Sequence, residues 1–147
     1  MQKGQAILEF IFLILIVVVY LVSVTMPMVK DTQNIIQDTQ NVTRANNECQ
    51  KISNSIKEIN LFGNESKQTL LVFIPNNTTI NCNNAEISFQ TQLTQQPFPA
   101  ECTNGLCTKT FPTNTLLQCL VGSIKGPQQI NITIQKINEN IIFTRSE

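Results

Sequence analysis

From Phe10 to Val29 the chain reads FIFLILIVVVYLVSVTMPMV, twenty residues in which the only ionisable side chain is the neutral phenol of Tyr20. Ser23, Thr25 and Pro27 are the only other interruptions. At about 1.5 Å per helical residue the run covers roughly 30 Å, the hydrocarbon thickness of a bilayer. A helix that is apolar all round has no face to give to water, so this one is expected in lipid or among other helices. Lys3 is the only cation ahead of it, which orients the N-terminus inside and everything after Val29 outside.

Three kinds of segment meet these conditions: a cleaved secretory signal, a plain signal anchor, and a helix stored in the membrane before assembly into something else. A secretory signal carries a basic n-region and a small-residue cleavage site after its core. Here the n-region is Met1-Gln2-Lys3, and the small residues after the core are Ser23-Val24-Thr25, with no Ala-x-Ala. Glu9 stands at the threshold of the apolar run. A carboxylate there costs a few kcal/mol to insert unless it is paired or at the interface, and a plain anchor has no use for it.

The residues around Glu9 decide among the three. Lys3-Gly4-Gln5-Ala6-Ile7-Leu8-Glu9, followed at once by the apolar run, resembles the class III signal peptide of type IV pilins, in the form seen in archaeal pilins and archaellins. Gln5, Glu9 and Leu13 match three of the four fixed positions of a Gln-x-Ser-x-Glu-x-x-x-Leu pattern, and Ile7 stands where the pattern has Ser. The resemblance covers about the first 30 residues. It implies that a prepilin peptidase removes residues 1–4 by cutting between Gly4 and Gln5, on the cytoplasmic side. It further implies that an assembly ATPase and a membrane platform protein draw the subunit from the membrane into an extracellular filament used in surface attachment. Gln5, Glu9 and Leu13 would be the assembly residues. Cleavage deletes Lys3 and creates an α-amine on Gln5, four residues from Glu9. In a bundle that excludes lipid, the carboxylate of one subunit can pair with the amine of its neighbour, and an unpaired buried charge costs several kcal/mol, so pairing selects axial register. Minor pilins, secretion pseudopilins and archaellins share these features. The alternative from another class is a single-pass anchor displaying a binding module that never polymerises.

Beyond Pro27 the pattern becomes amphipathic. Val42, Ala45, Cys49, Ile52, Ile56 and Ile59 fall on one helical stripe, with Ile35 and Asp38 in register, and Gly63 reads as the stop. No turn signal interrupts residues 28–60, so one helix over residues 5–62, on the order of 87 Å long, is favoured over two that fold back. Pro27 cannot donate to the carbonyl of Ser23 and predicts a kink or short unwound stretch over residues 23–27. After Gly63, strands are expected at Thr69–Ile74, Thr78–Asn81, Glu86–Leu93, Thr115–Val121, Gln129–Ile137 and Ile141–Thr144, the last two joined as a hairpin through Asn138-Glu139-Asn140. The expected fold is α+β and pilin-like: a long N-terminal helix whose outer half packs on a small antiparallel sheet formed by residues 63–147.

All five cysteines, Cys49, Cys82, Cys102, Cys107 and Cys119, follow the apolar run, so export would favour disulfides. Cys102 and Cys107 can close a small loop about Asn104-Gly105, and a second bridge would join two of Cys49, Cys82 and Cys119. With no His and no Cys-x-x-Cys pair, no metal or cofactor site is expected. Asn-x-Ser/Thr occurs at Asn41, Asn64, Asn76, Asn77 and Asn131, of which Asn131 reads as best placed, on the polar side of its strand. Ten Lys+Arg balance ten Asp+Glu without a basic run, so no nucleic-acid partner is expected. No catalytic motif is present, and the Thr94–Pro99 stretch reads as an exposed connector, so an enzyme is not expected. Only 14% of residues are charged, and 17 Asn with 15 Gln make the surface polar without making it ionic.

Overall fold

The stripe at Val42, Ala45, Cys49, Ile52, Ile56 and Ile59 is where the fold is built. In the computed structural model, which describes residues 2–94, 102–113, 115–138 and 140–146, with side chains between Ile7 and Arg145, a single helix α1 covers Gln2–Leu61. Ala45, Cys49, Ile52, Ile56 and Ile59 are each at most 2% exposed, and Val42 packs against them half-buried. Ile35, in the same register, is exposed. The chain divides into two compact units, Met1–Ile36 and Gln37–Glu147, and the packing described next lies in the second.

Among the described residues nine strands follow: β1 Lys67–Ile74, β2 Thr78–Asn83, β3 Glu86–Gln92, β4 Cys102–Thr103, β5 Leu106–Pro112, β6 Leu117–Cys119, β7 Ser123–Lys125, β8 Gln128–Ile137 and β9 Asn140–Ser146. They form two sheets where one was expected, ordered β1-β8-β9-β6 and β4-β5-β3-β2-β7. All pairings are antiparallel except β6 with β9, which is parallel. The alternation that announces β8 is real: Ile130, Ile132 and Ile134 face inward while Gln129 and Asn131 face water. The β8–β9 hairpin forms as expected, with Ile137 opposite Asn140 and Asn138 in the left-handed region at φ 57°. One apolar cluster unites the helix stripe with Val72 and Ile74 of β1, Ile132 of β8, Phe143 of β9, Ile80 of β2 and Phe89 of β3.

Gly63 does not end the helix by a left-handed turn, since its φ lies outside that region. The last turn of α1 has no basic residue of its own. Instead Lys136 of β8 donates from Nζ to the carbonyls of Asn60, at 2.7 Å, and Phe62, at 3.1 Å. A cation there satisfies orphan carbonyls and sits at the negative end of the helix dipole.

Disulfides brace the sheets. Cys102 and Cys107 face each other across β4 and β5, closing the Asn104-Gly105 turn in which both residues have positive φ, 52° and 78°. Cys82 and Cys119, with Cα atoms 5.9 Å apart, tie β2 of one sheet to β6 of the other. Cys49 is the odd thiol, buried in the helix stripe. Loop-closure entropy over a separation of 37 residues amounts to about 4 kcal/mol, against about 2 kcal/mol for the separation of 5. The Cys82→Ser/Cys119→Ser pair should therefore lower the melting temperature about twice as far as Cys102→Ser/Cys107→Ser, by circular dichroism on the detergent-solubilised chain.

Candidate functional site

The described residues of the first unit, from Gln2 to Ile36, are helix alone. Every side chain described from Ile7 to Val29 is exposed. No side is covered: consecutive residues, which point in different directions around the helix, are 64% exposed at Phe10, 56% at Ile11, 59% at Phe12 and 61% at Leu13. Among the described residues this is the one helix with a stretch long and apolar enough to cross a membrane. Fourteen of the twenty residues are Phe, Leu, Ile or Val, which favour a membrane interior by about 0.3–0.6 kcal/mol each at mid-helix. Together they give about 4–8 kcal/mol, enough to outweigh about 3 kcal/mol for one carboxylate.

The Ser23 and Thr25 hydroxyls are satisfied within the helix. Ser23 Oγ donates to Val19 O at 2.7 Å and Thr25 Oγ1 to Leu21 O at 2.6 Å. Neither takes the carbonyl of Ser23 that Pro27 leaves without its usual donor. The helix nonetheless continues through Pro27, with no unwound residues between 23 and 27.

Gly4 and Gln5 lie in the first turns of α1, and Glu9 follows one turn later, exposed. Among the described residues Glu9 makes no ion pair. With Leu13 one turn further on and exposed, the site is a carboxylate at the edge of an apolar cylinder. Such a surface can be hidden by lipid or by helices like itself, and its charge can be met by a cation at the same depth.

The remaining predicted residues lie elsewhere. Asn41 is in α1 and half-buried; Asn64, Asn76 and Asn77 are exposed in turns; Asn131 is exposed on β8. Residues 95–99 of the connector lie outside the described residues, but its first residue is anchored. Thr94 donates from its backbone N, at 2.7 Å, and from Oγ1, at 3.0 Å, to the Asp38 carboxylate on α1. The stripe register put Asp38 on this face, although its partner, 56 residues away, gives no local signal.

Burial pushes the Cys49 thiol from 9.0 up to about 12, and the neighbouring Glu48 carboxylate pushes the same way. The folded chain keeps its proton where the unfolded chain loses it. The stabilisation is therefore complete below pH 9.0 and is lost as pH rises toward about 12, at up to about 1.4 kcal/mol per pH unit. Melting at about pH 8 and about pH 10 should show a smaller alkaline loss in Cys49→Ala than in the parent.

No protein-family model, curated protein or solved structure matches this chain.

Proposed function

We propose that this chain is the structural subunit of an extracellular type IV pilus-like filament, released from its leader between Gly4 and Gln5 by a prepilin peptidase. The observation that carries the reading is the apolar stretch of α1, exposed on every side, with Glu9 alone at its N-terminal edge. The uncut subunit waits in the membrane with its disulfide-braced β-rich part outside. An assembly ATPase and a platform protein then move it from lipid into a bundle of its own kind.

The physical chemistry of that transfer is a change of cover. Apolar side chains leave lipid for neighbouring apolar side chains, so close van der Waals packing and the loss of lipid contacts supply the attraction. The carboxylate of Glu9 leaves the interface and needs a cation in the lipid-free core. The α-amine that cleavage creates on Gln5 supplies one in each neighbouring subunit. Cleavage and charge pairing are thus linked, because the cut removes Lys3 and leaves a single α-amine fixed on Gln5, four residues from Glu9.

Gly4→Val should block the cut. The chain would then accumulate in the membrane fraction with residues 1–4 still attached, as read by the mass of its N-terminal peptide, and surface filaments would be absent. Normal processing of the variant would count against this site.

A further inference from the structure

The filament reading leaves the five Asn-x-Ser/Thr sites unused, and the structure separates them. Transfer of a glycan requires two things at once. The Asn carboxamide nitrogen must reach a sugar donor, and the Ser/Thr hydroxyl two residues on must be free for the transferase to hold.

Four sites fail one requirement or both. Asn41 lies half-buried in α1, and its Thr43 Oγ1 donates to Thr39 O at 2.9 Å. Asn64 donates from Nδ2 to Asn138 Oδ1 at 3.4 Å, and its Ser66 Oγ donates to Gly63 O at 2.6 Å. The hydroxyl belonging to Asn76 is that of Thr78, which is 1% exposed and held by Asn76 O at 3.1 Å and Thr91 Oγ1 at 3.0 Å. Asn131 points outward as its strand pattern predicts. It sits in mid-strand, however, between Leu71 of β1 and Ser146 of β9, and its Thr133 hydroxyl is buried against Thr69 Oγ1 at 3.2 Å.

Asn77 meets both requirements. It is exposed in the turn between β1 and β2, in the left-handed region at φ 54°, and its backbone carbonyl accepts from Gln92 N at 2.9 Å. The turn is thereby fixed while the carboxamide projects from it. Thr79, two residues on, is half-buried, and among the described residues its hydroxyl has no hydrogen-bond partner.

We propose that Asn77 is the acceptor of an N-linked glycan, taken from a polyprenyl-phosphate-linked sugar outside the membrane. The Nδ2 nitrogen attacks the anomeric carbon and a C–N bond forms. The C–O bond to phosphate breaks, the lipid phosphate leaves with the electron pair, and an amide proton passes to a base of the transferase. The proposal rests on the outward topology of the filament reading. A sugar there adds hydroxyls to a surface with few charges.

The full chain, purified from the cells that make it, should carry one glycan on the peptide containing Asn77. The glycan should vanish in Asn77→Gln and Thr79→Ala, and persist in Thr79→Ser, Asn76→Gln and Asn131→Gln. A glycan on another site with Asn77 bare overturns the proposal, as does a bare chain in which the Cys82–Cys119 pair is oxidised. In both of these cases export stands. A bare chain with that pair reduced overturns the export reading on which the proposal rests.

Discussion

Glu9→Lys should abolish surface filaments while leaving the subunit inserted in the membrane and cut after Gly4. The substitution sets two cations, the new side chain and the Gln5 amine, at the same depth in a core that excludes water. Leaving a buried charge unpaired costs about 3–5 kcal/mol per subunit, which is a loss of roughly two to four orders of magnitude in association. Glu9→Gln should fail for the same reason, since the amine of its neighbour is then left alone. Shearing the cells and counting filaments by electron microscopy reads the loss, and the mass of the N-terminal peptide shows that processing continues. A single-pass anchor displaying a binding module would tolerate both changes, because nothing in it packs against that carboxylate. Normal filaments in Glu9→Lys would exclude charge pairing as the source of register.

Gly126→Ala should be the most damaging single methyl in the β-rich part. Gly126 follows β7, its N–H donates to Thr78 O at 2.9 Å, and the position a Cβ would take on it is filled by the backbone carbonyls of Ile74 and Pro75. An added Cβ would run into Pro75 O and stand 2.7 Å from Ile74 O and 2.9 Å from the Pro75 carbonyl carbon. These are backbone atoms at the end of β1, so no side chain can swing aside. We expect a loss of about 3–5 kcal/mol, a large share of the stability of a domain this size, and a melting temperature lower by roughly 10–20 °C. Gly63 and Gly122 are the controls. A Cβ at either meets nothing within 4 Å and neither has positive φ, so Gly63→Ala and Gly122→Ala should shift melting by only a few degrees. Equal effects at all three positions would refute the close-contact explanation.

What could be read in advance follows from which signals are local. The apolar run and the Ala45 to Ile59 stripe obey a helical period, and the three Ile of β8 obey a strand period, so both announced themselves. β5 did not, because only Cys107 in Leu106–Pro112 is fully buried and no alternation results. β7 is three residues long and too short to carry a pattern. The parallel neighbour of β9 depends on the meeting of Leu117 with Ile141, which no short window contains. The same holds for the cysteines. The Cys102–Cys107 loop was visible from its turn, but choosing Cys119 over Cys49 as the partner of Cys82 required knowing that β2 and β6 approach each other. The local signal for the helix stop is the nearby Gly63, whereas Lys136, 76 residues beyond Asn60 in sequence, holds its last carbonyls. Among the glycan candidates, outward direction was legible at Asn131, but the engagement of its Thr133 hydroxyl across the sheet was not.

On the function proposed above, a short leader is removed to make an amine that pairs with Glu9 in a filament of this chain. The most direct test is the N-terminal peptide mass of the subunit recovered from sheared surface filaments. The filaments should contain this chain, with an N-terminal peptide that begins at Gln5 and lacks residues 1–4. A peptide that begins at Met1, one that begins beyond Val24, or filaments that lack the chain would contradict it.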